Sequence, residues 1–193
     1  MKRALSVFLI CILTLLTFTS CGPKHPIDEF REKLQKANNY QMESIWLDKP
    51  SGNTVTLTFS IDGRIKHNNE ALYNEEAYYE TVGSVTYKYT KSDDGSWSKK
   101  AMDSTDPGIP RVDEAIDLLF NPDIYIQIES DSEEKLTYNK KTDASLDQFE
   151  DITMIIEGDK CTIHASEKTN NVIMNITYVF SNVGKVNLTL PRS

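Results

Sequence analysis

Residues 172–180, VIMNITYVF, carry the longest uninterrupted alternation of apolar side chains in this sequence. Val172, Met174, Ile176, Tyr178 and Phe180 occupy every second position of the stretch. A period of two places all five on one face of a β-strand. The stretch therefore predicts a half-buried strand, and half-buried strands are typical of antiparallel sheets.

The same alternation recurs along much of the chain. Residues 55–61, VTLTFSI, alternate apolar and hydroxyl side chains, and Asp62-Gly63, Asp94-Gly95 and Gly158-Asp159 are turn dipeptides typical of hairpins. Successive hairpins predict an antiparallel meander. Further strands are predicted at residues 64–67, 71–73, 76–82, 85–90, 124–128, 135–138, 152–157, 161–165 and 186–190.

Two helices are predicted from apolar residues spaced three and four apart. The first covers residues 27–37, with Pro26 as its first helical residue and Asn38 and Asn39 as its stop. The second covers residues 112–120 and ends before Asn121-Pro122. Strands and helices do not alternate regularly, so the predicted class is α+β with a largely antiparallel sheet.

The N-terminus predicts export and lipid attachment. Lys2 and Arg3 precede an apolar run at residues 4–16, which has the length of a signal-peptide core. The quartet Phe18-Thr19-Ser20-Cys21 resembles a bacterial lipobox, although Phe18 stands where Leu is usual. The alternative is an uncleaved transmembrane anchor, but a spanning helix needs about 20 apolar residues.

The resemblance to a lipobox implies a domain organisation and a location. Residues 1–20 are the expected signal peptide, Cys21 the lipid attachment site and residues 21–26 a lipidated tether. Residues 27–193 are the expected single domain. A diacylglyceryl group and a further acyl chain such as palmitate on Cys21 give stable anchoring at the extracytoplasmic face of the cell membrane.

Net charge excludes one class of partner. The chain has 21 Lys and Arg against 29 Asp and Glu, for a formal charge of −8. An acidic surface repels phosphate backbones, so no nucleic-acid partner is expected.

Several blocks of the sequence resemble a known group of envelope proteins. Residues 178–182, YVFSN, the later Gly184-Lys185-Val186 and the terminal Leu190-Pro191 are similar to the closing segment of LolA/LppX-like bacterial lipoproteins. Residues 62–97, from Asp62-Gly63-Arg64 to Trp97, resemble the hairpins of the same group, especially in uncharacterised Gram-positive members. The resemblance implies a curved sheet, an incomplete β-barrel, with two short helices across its concave side.

The sequence contains no recognisable catalytic or metal-binding constellation. It lacks a Gly-x-Ser-x-Gly elbow, a phosphate loop and a His-Glu-x-x-His motif. His164 is expected to be a solvated strand residue, and Cys161 a small core residue on a strand. We therefore expect neither enzyme activity nor a cofactor nor a metal site.

Two functions remain. The resemblance implies a lipid-anchored binding protein that holds a lipid or other apolar ligand in the half-barrel. The alternative is a non-enzymatic accessory or sensor lipoprotein that docks an envelope protein. The apolar side chains expected to wall the ligand pocket are Leu57, Phe59, Tyr87, Tyr89, Met174 and Tyr178.

Overall fold

A computed structural model describes residues 23–48, 54–62, 64–69, 75–103, 112–132, 134–144, 146, 149–169 and 172–192. The predicted signal peptide, Cys21 and the predicted strand at 71–73 lie outside these residues. In the part of the chain that is described, no helix is long and apolar enough to cross a membrane.

Helix α1 spans Pro26–Ala37, as the spacing predicts. His25 caps its N-terminus, where the Nδ1 atom accepts a hydrogen bond from the Ile27 backbone N–H at 3.3 Å. Asn38 ends the helix in the left-handed conformation, with φ of 45°, and its backbone N–H donates to the Leu34 carbonyl. Helix α2 spans Val112–Leu119, followed by a short 3₁₀ turn at Pro122–Ile124.

Eleven strands form one sheet among the described residues, and every pairing in it is antiparallel. The strands lie in the order β6-β5-β4-β3-β2-β1-β11-β10-β9-β8-β7, with β6 and β7 at the edges. The predicted α+β class with an open, curved antiparallel sheet is confirmed. The strands are β1 Asn39–Asp48, β2 Thr54–Asp62, β3 Arg64–Asn69, β4 Glu75–Val82, β5 Val85–Lys91, β6 Trp97–Met102, β7 Tyr125–Ser132, β8 Lys135–Lys140, β9 Phe149–Glu157, β10 Lys160–Thr169 and β11 Val172–Ser181.

Strand β1 lies at the middle of the sheet and was not among the predicted strands. It pairs with β11 on one side and β2 on the other. Apolar side chains stand at both even and odd positions near its end, as in Ile45, Trp46 and Leu47, which obscures the alternation. The first and last strands of the sequence thus meet at the centre, and β1 joins the two hairpin series.

Both helices pack on one face of the sheet, which we call the inner face. Ile27, Phe30 and Leu34 of α1 join Ile116 and Leu119 of α2 in the hydrophobic core. Phe120, which follows α2, stacks parallel to Phe30 with ring centroids 5.7 Å apart and meets Phe180 edge-on at 5.1 Å. The sheet residues of this core come from β1 and β7–β11 and include Tyr40, Met42, Tyr125, Tyr138, Met154, Cys161, Ile163 and Phe180.

The prediction of a strand at residues 186–190 is wrong. This segment joins no ladder in the structure. Instead, the Asn39 side chain exchanges hydrogen bonds with the backbone of Val186, and the Arg64 guanidinium donates to the Leu188 carbonyl at 3.1 Å. Leu188 is buried. The alternation of apolar residues in this segment therefore reflects burial of one of its sides, while side chains rather than a neighbouring strand bind its backbone.

Candidate functional site

Strand register assigns each predicted pocket residue to a face of the sheet. Tyr178 and Met174 alternate with Phe180 along β11 and share the inner face with it. Phe59 pairs with Met42, and Leu57 with Ser44, so both hold inner-face positions on β2. Ser44 in turn pairs with Tyr178. The register therefore brings four of the six predicted residues, Leu57, Phe59, Met174 and Tyr178, to one face.

Tyr87 and Tyr89 lie on the opposite face, which we call the outer face. Tyr79 pairs with the inner-face residue Ile65 and with Lys88 on β5, so Lys88 holds an inner position. Its neighbours Tyr87 and Tyr89 therefore point away from the helices. The register thus separates Tyr87 and Tyr89 from Met174 and Tyr178, which lie on the inner face. Alternation along a strand separates two faces without showing which one is covered.

Trp46 is an inner-face residue that the sequence analysis did not identify. It lies opposite Ile176, which is 1% exposed. The Trp46 Nε1 atom is buried and has no hydrogen-bond partner within the described residues. A buried N–H without an acceptor costs about 1–3 kcal/mol. The position therefore favours a bound group that supplies an acceptor.

Tyr178 and Glu167 set the electrostatics beside this indole. Burial, with a smaller contribution from the nearby Glu167 carboxylate, raises the pKa of Tyr178 to about 12. Glu167 pairs with Met174 and so holds an inner-face position. This part of the inner face thus combines apolar side chains and a neutral phenol with the Glu167 carboxylate.

Two of the cavities bounded by described residues lie away from Trp46 and from the predicted pocket residues of the inner face. One of about 280 Å³ on the inner face lies between α1, the start of β1 and α2, lined by Leu34, Tyr40 and Ile116 among others. A shallow one of about 770 Å³ lies at the ends of β8 and β9, lined by Leu136 and Ile156 among others.

The outer face of β3–β6 carries a second cluster, which we call the aromatic-cation surface. Its rings are Tyr78, Tyr87, Tyr89 and Trp97, and its cations are Arg64, Lys66, Lys91 and Lys99. Two carboxylates, Glu76 and Glu80, lie among them on β4. These tyrosines and lysines are separated along the sequence and become neighbours only through strand pairing.

The remaining titratable candidates behave as predicted. His164 is exposed, with its Nδ1 atom 3.0 Å from the Thr177 hydroxyl. Cys161 is fully buried, and burial raises its thiol pKa well above the usual value. No cluster of three potential metal ligands occurs among the described residues.

Comparison of the chain with models of known protein families finds no match, and comparison with curated proteins finds no relative.

Proposed function

We propose that this protein is a lipid-anchored binding protein of the extracytoplasmic membrane face, and that the inner face of its sheet holds a lipid or other apolar ligand. Cys21 is the proposed attachment site. The likeness to LolA/LppX-like lipoproteins belongs to the same proposal. An open antiparallel sheet with two helices on one face is compatible with that group.

The buried indole N–H of Trp46, which has no hydrogen-bond partner among the described residues, is the observation that carries the proposal. Native proteins pair almost all of their buried donors. A ligand that lies along the inner face would supply the missing acceptor. Met174 and Tyr178 are half-buried on the same face and offer apolar surface to such a ligand.

The charges nearby favour a particular class of apolar ligand. Glu167 repels a free carboxylate at this position, whereas an ester or amide carbonyl accepts a hydrogen bond without adding charge. We therefore propose an uncharged acyl ester or amide rather than a free fatty acid. Each buried methylene contributes about 0.8 kcal/mol, so about ten of them supply roughly 8 kcal/mol before ordering costs.

The experiment is a titration of the chain from Lys24 onward with a fluorescent diacylglycerol. Cooperative thermal unfolding first checks that this chain is folded. Saturable binding is expected in the wild type, and Met174→Trp should weaken it by filling inner-face space. Ile173→Trp is the matched control, because Ile173 directly precedes Met174 on β11 and is exposed on the outer face.

Three results would contradict the proposal. The first is no saturable binding, and the second is equal binding by Met174→Trp and Ile173→Trp. The third is tighter binding of a free fatty acid than of the uncharged ester. Organic extraction of the purified protein followed by mass spectrometry should also recover an apolar ligand near one per chain.

The second candidate function is docking of an envelope protein. The feature that favours it is edge strand β7. Ile126 and Ile128 are 59% and 40% exposed and project from the outer face of this strand. Edge strands offer backbone groups to an added strand, and apolar side chains increase the affinity. A photo-crosslinker at residue 126 in intact cells should then form a discrete adduct that Ile128→Lys abolishes. A crosslinker at Val82, which is 56% exposed on another hairpin, is the control.

A further inference from the structure

The rings of the aromatic-cation surface lie in contact with one another and with its cations. Tyr78 and Trp97 meet edge to face with ring centroids 5.4 Å apart. The Lys99 ammonium lies 4.2 Å from the Tyr87 ring centroid, and the Lys91 ammonium 6.0 Å from that of Trp97. Cations at these distances from aromatic faces are held by attraction to the π-system. Rings and charges therefore form one connected surface across three strands.

The two carboxylates hold the surface in place. Glu76 accepts hydrogen bonds from the Tyr78 hydroxyl and the Lys66 ammonium, both at 2.8 Å. These bonds lower the pKa of Glu76, so it stays ionised. Glu80 accepts from the Tyr89 hydroxyl at 3.0 Å and lies near Arg64 and Lys99 at 3.5 and 3.7 Å. Hydrogen bonds to the two carboxylates thus orient the rings of Tyr78 and Tyr89.

The sign of the charge here is the reverse of that of the whole protein. Four cations stand against two carboxylates on the outer face of β3–β6, in a chain with a formal charge of −8. The acidic turn at Asp93 and Asp94 lies beyond the end of β5. A local cationic field on an acidic protein steers anionic partners to one place.

We infer that the aromatic-cation surface binds an anionic saccharide chain. Sugar rings present C–H faces that pack on tyrosine and tryptophan, and their hydroxyls find donors and acceptors among the polar tips of these rings and the carboxylates. Lys66, Lys91 and Lys99 supply the charge that matches repeated carboxylates or phosphates. Neighbouring strands are about 4.8 Å apart, so the surface from β4 to β6 spans roughly 10 Å and accommodates an extended chain.

The test uses the full chain, purified from membranes in an uncharged detergent and titrated with a fluorescent galacturonic acid hexasaccharide. Saturable binding is expected. Trp97→Ala should lower the affinity by roughly tenfold or more, as for an aromatic residue that dominates an interface. Lys91→Gln should lower it severalfold. Lys100→Gln is the control, because this exposed lysine lies on the inner face of β6 and carries the same charge.

Two further ligands separate recognition of a saccharide from attraction of any anion. The fully methyl-esterified hexasaccharide should bind weakly, and polyglutamate of equal charge should bind no more tightly than that ester. Equal binding of polyglutamate and the acidic hexasaccharide would overturn the inference. So would equal losses in Lys91→Gln and Lys100→Gln, or no saturable binding at all. Circular dichroism checks that Trp97→Ala is folded. If it is not, the comparison of Lys91→Gln with Lys100→Gln tests the inference.

Discussion

The imidazole ring of His25 lies 5.6 Å from the ring of Tyr138, tilted by 46°. His25 also caps helix α1, so one residue joins the start of that helix to strand β8. It stands four positions after the proposed lipid site at Cys21. This contact therefore holds the N-terminal end of the described chain against strand β8.

Tyr138 is fully buried, yet its hydroxyl has no hydrogen-bond partner in the described part of the structure. Tyr138→Phe removes this unpaired polar group and keeps the ring. We expect the free energy of unfolding to rise by about 1 kcal/mol, because a buried group without a partner retains its desolvation cost. Urea denaturation of wild type and variant measures the change. A clear loss of stability would show that the hydroxyl is bonded in solution.

Lipid attachment at Cys21 predicts a chemical phenotype. Cys21→Ala should leave an unprocessed precursor and abolish incorporation of labelled fatty acid, because the thiol that receives the diacylglyceryl group is gone. Gel electrophoresis of cells grown with a labelled fatty acid measures both. Cys161→Ala is the control, since that thiol is buried in the core and should not affect labelling. Equal labelling of the Cys21 variant and wild type would refute the anchor.

Alternation on strand β10 predicts unequal costs for neighbouring substitutions. Ile163 is fully buried on the inner face, so Ile163→Ala should destabilise the protein by about 2–5 kcal/mol. Thr162 is only half-buried on the outer face, and Thr162→Ala should cost less than about 1 kcal/mol. Chemical denaturation of both variants measures the two changes in the free energy of unfolding. Similar losses at the two positions would contradict the assigned faces.

The ion pairs of Glu32 should make part of the folding stability sensitive to acid. Hydrogen bonds from Lys24 and Lys36, at 2.6 and 2.8 Å, lower the pKa of Glu32 to about 2. A lowered pKa stabilises the folded state above the ordinary value of 4.5, and this contribution is lost as the pH falls towards 2.

The measurement for Glu32 is the thermal midpoint of unfolding between pH 6 and pH 2 at low salt. Glu32→Gln should lie below wild type at the upper end of this range and converge with it at the lower end. Because the ion pairs are exposed, added salt should shrink the difference. Curves that stay parallel across the whole range would contradict the role of Glu32.

The sequence by itself determined the class of the fold and the local elements. Apolar spacing located both helices, with Pro26 and Asn38 at the ends of the first, because capping and periodicity act within a few residues. Period-two patterns located most of the strands for the same reason, although not β1. Cys161 and His164 were assigned correctly to core and solvent, since their immediate neighbours show the alternation.

Only the tertiary structure decided what depends on pairing between distant segments. Strand β1 became central through its ladder with β11, and residues 186–190 joined no ladder because Asn39 and Arg64 bind their backbone. Tyr89 and Tyr178 both alternate on strands, yet the register from β11 through β1 to β5 places them on opposite faces. A tyrosine suits either face, with an apolar body and a polar tip, so its own neighbours in sequence do not determine which one it occupies.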